Sequence, residues 1–391
     1  MKLQRFEQAE RTLVTLISDP AAPVHPRRSV RLLLWALRQL SHLYGAAMQV
    51  RLFLYAKRIL RHHTLGCQVI SVGNLTVGGT GKTPVVEVFA RELQAAGRRV
   101  AVLSRGYRKT EPSFANRLLD FVSLRAYRRP PRLVSDGQRL LLDSAMSGDE
   151  PYMLASNLPS VAVLVDKNRV KSGRYAIDKL GCDTLILDDG FQYLALLHRV
   201  EIVLIDRTNP FGNEHVLPRG ILREPIRNVS RADFIFITKS DGTGAEALRS
   251  RLRELNPRAE IIECRHCARY LQDVFSGERK PLTMLRELPI AAISGIASPK
   301  GFEDELIRLG AKVLYHKRYA DHHRYEQQEI IDLINKSLQR GAQAIVTTEK
   351  DAVRFPNIER RDLPMYFLRV EIEMLSGAED FYACIQRICF Q

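Results

Sequence analysis

One stretch constrains this chain more than any other: Val69-Ile70-Ser71-Val72-Gly73-Asn74-Leu75-Thr76-Val77-Gly78-Gly79-Thr80-Gly81-Lys82-Thr83-Pro84. An apolar strand runs into a glycine-rich loop, and Gly81-Lys82-Thr83 then opens a helix that Pro84 helps to start. That order is what a triphosphate cradle requires. Glycines let backbone N–H groups converge on phosphate oxygens, the helix N-terminus adds positive potential, a lysine reaches the outer phosphates, and a threonine hydroxyl serves magnesium. The strict pattern places a glycine five residues before Gly81, where Thr76 stands here, so the loop is a variant spelling.

Composition narrows the partners. The 391 residues are enough for two domains with full cores, and 45% hydrophobic with 26% charged residues is ordinary for a folded protein. The balance of 59 Lys and Arg against 44 Asp and Glu, a net charge of +15, points to an anionic partner: nucleic acid, anionic lipid or a phosphorylated substrate. Six cysteines without regular spacing suit reduced thiols in a cytoplasmic setting. Cys264 and Cys267 form a lone pair without the second pair that a zinc site needs. No run reaches the roughly 18 apolar residues of a membrane span. Leu32–Tyr55 comes nearest and is broken by Arg38, His42, Gln49 and Arg51. The first residues mix charge throughout, so no signal peptide is expected.

Residues 1–28 read as an amino-terminal extension. Ser29 is placed to cap a helix in which Leu33, Leu37, Leu40, Tyr44 and Ala47 recur at helical spacing near Trp35. Arg27, Arg28 and Arg31 precede it; Lys57, Arg58, Arg61, His62 and His63 follow. Such a basic amphipathic region, spanning 29–65, suits a bilayer interface, and equally a helix packed on the domain core. From residue 66 strands and helices alternate. Strands are expected at Gln68–Val72, Val100–Leu103, Val161–Val165, Thr184–Leu187, Ile202–Ile205 and Phe234–Ile237, with a helix at Pro84–Ala96. A basic irregular stretch carries Arg108, Lys109, Arg117, Arg125, Arg128, Arg129 and Arg132.

Short apolar strands separated by helices imply an α/β fold, a P-loop NTPase parallel sheet covered by helices, over 66–255. Ligand sites in such a sheet lie at the carboxyl ends of the strands. Glu260–Cys264 and Met365–Ile372 bracket a smaller αβ lobe, 256–375. It holds strands at Ile290–Ile293, Lys312–Tyr315 and Ala344–Thr347, and helices at Lys300–Leu309 and Gln327–Arg340. Two strands entering and leaving form a two-stranded connector, and 376–391 carries a final helix at Ala378–Cys389.

Four clusters carry possible chemistry. Asp188 and Asp189 end the apolar strand Thr184–Leu187, where a P-loop fold puts its second magnesium element and other folds put a helix cap. Asp149 and Glu150 begin a helix, a place that acids also take for dipole reasons. Arg223 beside Glu224 can offer a guanidinium to the γ-phosphate and a carboxylate to magnesium, or be a surface ion pair. Asp321-His322-His323 can deliver a base when lobes close, or be structural.

Taken together, these residues resemble the tetraacyldisaccharide 4′-kinase family of lipid A biosynthesis. The matching stretches are Val72–Pro84, Ser104-Arg105-Gly106-Tyr107, Gly148-Asp149-Glu150-Pro151, Asp188-Asp189-Gly190-Phe191-Gln192, Phe211-Gly212-Asn213, Leu217-Pro218 with Leu222-Arg223-Glu224, Asp321-His322 and Thr348-Glu349-Lys350-Asp351-Ala352-Val353. They run in the family's order from about residue 29 to the end, and the family's loop carries threonine where Thr76 departs from the strict pattern. The resemblance implies ATP- and Mg²⁺-dependent phosphorylation of the 4′-hydroxyl of a tetraacyl glucosamine disaccharide 1-phosphate. It implies a peripheral enzyme on an anionic membrane surface, the cytoplasmic face of the bacterial inner membrane, without nucleic acid or an obligate protein partner.

Carried onto this chain, Asp149 with His322 would activate the sugar hydroxyl, the histidine arriving from the opposite lobe. Lys82 and Arg223 would hold phosphates, and Thr76, Val77, Gly78, Gly79, Thr80, Gly81, Lys82 and Thr83 would form the ATP cradle. Thr83, Asp188, Asp189 and Glu224 would serve magnesium, and Asn74, Glu150, Arg169 and Gln192 would meet the lipid substrate.

Two rival classes remain. Thr238-Lys239-Ser240-Asp241 follows an apolar strand and is close to the guanine-reading tetrad of GTPases, which raises a membrane-peripheral GTPase or ATPase switch. Against it, no Asp-x-x-Gly switch follows Leu187, and Val77 stands where membrane-partitioning ATPases want lysine. A basic nucleic-acid-binding protein is the other; the chain lacks any recognised module for it.

Overall fold

The structure is a computed structural model that describes residues 28–106 and 129–390, without the side chains of Ser29 and Phe390. The extension up to residue 27, Tyr107, and Arg108, Lys109, Arg117, Arg125 and Arg128 lie outside the described residues, and Ser29, expected as a cap, lies within a helix that already includes Arg28. The elements run α1 (Arg28–Ala56), β1 (Gln68–Asn74), α2 (Lys82–Ala95), β2 (Val100–Ser104), β3 (Arg132–Asp136), α3 (Ser144–Ser147), α4 (Asp149–Asn157) and β4 (Ala162–Val165). There follow α5 (Arg169–Leu180), β5 (Thr184–Asp188), β6 (Val200–Asp206), β7 (Phe234–Thr238), α6 (Glu246–Leu255), β8 (Glu260–Asp273) and β9 (Arg279–Lys280). The last are β10 (Pro289–Ser294), α7 (Pro299–Arg308), β11 (Lys312–Arg318), α8 (Gln327–Gln339), β12 (Ala344–Thr348), α9 (Glu349–Ala352), β13 (Met365–Ser376) and α10 (Ala378–Phe390).

The chain divides into two compact units. One takes residues up to Leu103, Asn168–Arg265 and Met374 onward; the other takes Ser104–Lys167 and His266–Glu373. The expected strands are all present, the connector strands β8 and β13 running longer than foreseen. The division differs from the sequence reading at Ser104–Lys167, expected inside the kinase core, which groups with the second unit, and at the lobe's edges, where 256–265 and Met374 onward group with the first. The physical reason lies in α3 and α4, whose contacts go to the segment after β12. Ser144 Oγ donates to the Val353 carbonyl at 2.7 Å, and Asn157 Nδ2 to Glu349 Oε1 at 2.5 Å.

In the first unit the strand order is β8-β7-β6-β1-β5-β2, every pair parallel. The order reverses at β1, with β5 on one side and β6 on the other, so the loop after β1 sits at the switch point where such sheets bind ligands. The strands are continuously apolar because both faces are covered. Phe89 of α2, Phe236 of β7 and Phe381 of α10 meet edge to face, with centroids 4.8–6.4 Å apart, which ties the carboxy-terminal helix into this unit. Gly73 is forced by close approach: a Cβ there would lie 2.6 Å from that of Phe191.

Helix α1 packs on this unit through its polar groups. Ser41 Oγ bonds the Val216 carbonyl, Gln49 Nε2 reaches Asn228 Oδ1 at 3.1 Å, and Arg51 donates to the Gln192 carbonyl at 3.1 Å. Its other side is apolar and exposed at Leu32, Trp35, Leu43, Val50 and Phe53, which share one stripe at 3.6 residues per turn. Of the expected stripe, Leu33, Leu40 and Ala47 are exposed, while Leu37 and Tyr44 are half-buried. Among the described residues no helix is long and apolar enough to cross a membrane.

In the second unit β11-β10-β12-β13-β8 lie side by side, the first four parallel, with β9 antiparallel on β8 and β3 antiparallel to β4. Alternation along β10 and β12 feeds two cores. Ile290, Ala292, Ala344 and Val346 face Phe302 and Leu306 of α7, while Ala291, Ile293 and Ile345 face Ile330 and Ile334 of α8.

Candidate active site

Each unit carries its own cluster of functional side chains. In the first, the loop after β1 is held from the side by the segment before Glu224: Val77 N donates to the Ile221 carbonyl at 2.8 Å, and Arg223 N to the Leu75 carbonyl at 2.6 Å. This pairing brings Arg223 to the phosphate loop across a wide gap in sequence. Gly78 has φ +117°, Gly81 has φ +79° and caps α2, and the loop is exposed at Val77, Gly78 and Gly79. Thr80 is buried, its carbonyl accepting from Thr238 Oγ1 at 2.8 Å. Lys82 and Thr83 are the first two residues of α2, where N–H groups are open to an anion.

Asp189 is the electrostatic centre of this cluster. Both its carboxylate oxygens accept from Arg223 at 2.8 Å, and Lys82 Nζ lies 3.7 Å away. Burial pushes the carboxyl up, but the charges of Lys82, Arg223 and Arg169 outweigh it and hold Asp189 below its ordinary value. Asp188 is buried, and its carbonyl accepts from Arg169 at 3.3 Å.

The residues expected to meet the lipid substrate here are placed beneath the loop. Asn74 is fully buried, donating to the Thr76 carbonyl at 2.7 Å and accepting from Lys82 Nζ at 3.3 Å. Gln192 bridges the Asn74 carbonyl and Arg223 at 3.1 and 3.2 Å. Arg169 is 4% exposed, with its guanidinium over the Tyr193 ring. Glu224, expected to serve magnesium, is 1% exposed, and its carboxylate takes Asn228 at 2.8 Å and Arg231 at 2.9 Å.

Among the described residues no three His, Cys, Asp or Glu converge as an all-protein metal cage. A magnesium ion carried on phosphates does not need one, since one or two carboxylates suffice beside phosphate oxygens and waters. The hard oxygen donors of Thr83, Asp188 and Asp189 fit that chemistry.

The second cluster is built on α4, α9 and the turn before α8. Gly148, at φ 94°, turns the chain so that Asp149 opens α4. Asp149 Oδ2 lies 3.1 Å from His322 Nδ1 and accepts from Arg354 Nε at 2.9 Å. Its other oxygen, Oδ1, is buried and has no hydrogen-bond partner among the described residues; Arg324 approaches it only to 3.6 Å. Burial pushes this carboxyl up, and the His322 hydrogen bond and Arg354 charge outweigh it, so Asp149 stays ionised below the usual carboxylate range. His322 sits at φ +65°, its backbone N–H fixed to the Gly295 carbonyl at 3.1 Å. Glu150 is half-buried and faces Lys350 at 3.4 Å.

Asp149 and His322 therefore belong to one unit, not to opposite lobes. The sequence reading misses Arg354 and Asp351 entirely. Asp351 is fully buried, accepting from Gly295 N and Tyr325 Oη at 3.0 Å each and from Thr348 Oγ1 at 2.6 Å. The only sequence signal was the run Thr348–Val353 itself, which carried no assigned role.

The tetrad at 238–241 is committed to the fold. Besides the Thr238 bond, Lys239 pairs with Asp206 at 2.5 Å, Ser240 bonds Glu263, and Asp241 pairs with Arg207 at 2.9 Å.

Comparison with known proteins places the whole chain. A family model described as tetraacyldisaccharide-1-P 4′-kinase matches residues 33–389. A tetraacyldisaccharide 4′-kinase of Anaeromyxobacter dehalogenans (strain 2CP-C) is 40% identical over 347 residues, covering 88% of this chain and 87% of its own. One from Desulfotalea psychrophila is 36% identical, covering 90% and 95%. The crystal structure of LpxK from Aquifex aeolicus in complex with ATP superposes with a TM-score of 0.70 at 28% identity, over 92% of this chain and all of the other.

Proposed function

The chain belongs to the tetraacyldisaccharide-1-P 4′-kinase family, and from that premise we propose how its own residues divide the work of phosphorylating the 4′-hydroxyl of a tetraacyl glucosamine disaccharide 1-phosphate with ATP. It is a kinase, and phosphoryl transfer depends on positioning and charge neutralisation more than on covalent help. The loop from Thr76 to Thr83 cradles the triphosphate, and Lys82 and Arg223 neutralise its outer phosphates. Magnesium, when bound, neutralises charge on the phosphates; Thr83, Asp188 and Asp189 would hold it. Asn74, Gln192, Arg169 and Glu224 shape and brace this cradle from below.

Asp149 accepts the proton of the sugar hydroxyl as the oxygen–phosphorus bond forms and ADP leaves. The observation that carries the reading is its Oδ1, a buried carboxylate oxygen without a hydrogen-bond partner among the described residues, while Arg354 and the adjacent His322 fix Oδ2. A sugar hydroxyl is a poor nucleophile near neutral pH, and such a base contributes about 10²–10⁴ in rate.

The substrate's four acyl chains cannot leave a bilayer cheaply, at about 0.8 kcal/mol per exposed CH₂. The enzyme therefore works as a peripheral protein on the cytoplasmic face of the inner membrane, with the exposed stripe of α1 in the interface. Detergent-solubilised protein incubated with labelled ATP, Mg²⁺ and the disaccharide 1-phosphate should yield a bisphosphorylated lipid. Asp149→Asn should lower turnover by about 10²–10⁴. Absence of the bisphosphate with wild-type protein defeats the substrate reading, and near-normal turnover of Asp149→Asn defeats the base assignment alone.

A further inference from the structure

We propose that Arg354 is the positioning residue of the proton-accepting carboxylate: it locks Asp149 through Oδ2 and so dedicates Oδ1 to the acceptor hydroxyl. This rests on the reading of Asp149 as the base. The Arg354 side chain is wholly buried, so it touches no substrate and acts only through its neighbours.

Two of the three guanidinium nitrogens have oxygen acceptors, and the third faces His322. Nε bonds Asp149 Oδ2 at 2.9 Å, one terminal nitrogen bonds the Gly295 carbonyl and Asp351 Oδ1 at 3.2 Å each, and the other lies 3.3 Å from His322 Nδ1. Burying a cation costs several kcal/mol unless it is paired and hydrogen-bonded, so the bonds to Asp149, Asp351 and Gly295 fix the fork in one orientation. Asp351 is anchored in turn by Gly295, Tyr325 and Thr348, and Gly295 also fixes the His322 backbone. The end of β10, the start of α9 and the turn carrying His322 thus converge on Asp149 through one guanidinium.

His322 alone does not suffice to hold the carboxylate. Its Nδ1 lies within reach of both Asp149 Oδ2 and Arg354, so donation to the carboxylate and acceptance from the guanidinium are alternatives. The charged and titratable groups facing Asp149 are His322, Arg354 and, at 3.6 Å from Oδ1, the half-exposed Arg324; the adjacent Glu150 is turned to Lys350. Arg354 is the buried cation of the set.

Two variants read this role. Arg354→Met keeps volume and removes the fork; Arg354→Lys keeps the charge but cannot serve Asp149, Asp351 and Gly295 together. In the Met variant kcat should fall by roughly 10²-fold, the scale of a misplaced catalytic group, while KM for ATP and for the lipid changes less than about threefold. The kcat–pH profile between about pH 4.5 and 8 should gain an acid limb, because the cation that, beside the His322 hydrogen bond, helped to offset burial is gone and Asp149 protonates at higher pH. Arg354→Lys should recover part of kcat and return the limb toward lower pH.

Wild-type kcat in Arg354→Met, or a kcat loss with an unmoved acid limb, overturns the proposal. If the Met variant does not fold, Arg354→Lys and Asp351→Asn decide: unchanged kcat and profile in both overturn it, and a lowered kcat with a raised limb supports it. An inactive Asp149→Asn alongside a negative result here leaves the base in place and removes only its positioning by Arg354.

Discussion

Lys82, Arg223 and Asp189 form one charge cluster at the phosphate loop, and its signs decide what a substitution there does. Asp189 lies against both cations that a triphosphate would claim. Removing the carboxylate leaves two cations facing an anionic ligand in a site of reduced dielectric. Without magnesium, Asp189→Ala should therefore bind ATP as tightly as wild type or tighter by calorimetry, whereas Lys82→Ala should bind it more weakly. With magnesium both should lose turnover, by about 10²–10³ for a lost charge-stabilising group. Weakened magnesium-free binding in Asp189→Ala would contradict this account.

The same carboxylates set the acid stability. Asp149 and Asp189 are held below their ordinary value in the folded chain, so the stability they supply is complete above the unfolded Asp value of about 3.9 and is lost as pH falls through their lower folded values. Thermal melts should be nearly flat from neutral pH to about 5 and drop below about 4. Asp189→Ala should show the shallower drop.

At the scale of elements, the loop glycines separate backbone demand from steric demand. Gly78 has φ +117°, while Gly79 has no positive φ, and an added Cβ at either would meet nothing within 4 Å. Gly78→Ala should thus cost about 1–3 kcal/mol through strain alone, lowering the melting temperature and ATP affinity together, and Gly79→Ala should leave the melt unchanged. Equal melts for the two variants would remove the strain argument.

Strand, loop and α2 were legible in the sequence because their signals are local: an apolar run, glycines, then Lys82 and Thr83 at a helix start. The second cluster was legible only in part. Asp149 and His322 stood out as residue types, but the bond from Arg354 to Asp149 spans 205 positions, and nothing in periodicity or propensity reports a contact of that range. For the same reason the move of Ser104–Lys167 into the second unit, fixed by contacts of α3 and α4 with residues 349 and 353, was not readable. Thr238-Lys239-Ser240-Asp241 misled in the opposite direction: a nucleotide-reading spelling whose side chains are occupied by Thr80, Asp206, Glu263 and Arg207.

At the scale of the whole molecule, the proposed peripheral membrane role would draw on two forces, and they respond differently to salt. The net charge of +15 attracts anionic headgroups over a Debye length of about 10 Å at 0.1 M salt and is screened as salt rises. The exposed stripe of α1, with Leu32 and Leu43 at 68% and Trp35 at 60% exposure, works by burial and is not screened. Wild-type protein should accordingly bind anionic vesicles at low salt, lose part of that binding at high salt, and keep a salt-insensitive remainder on neutral phosphatidylcholine. Replacing Leu32, Trp35 and Leu43 together with serine removes about 1 kcal/mol or more of insertion per side chain, on the order of a hundredfold in partitioning. These three side chains are exposed and lie across the helix from Ser41, which bonds Val216, so the melting temperature should hold while the neutral-vesicle fraction disappears and a salt-sensitive anionic fraction persists. Cosedimentation with the two vesicle types at two salt concentrations measures both terms. If the triple variant partitions onto neutral vesicles as wild type does, the stripe of α1 is not what meets the bilayer.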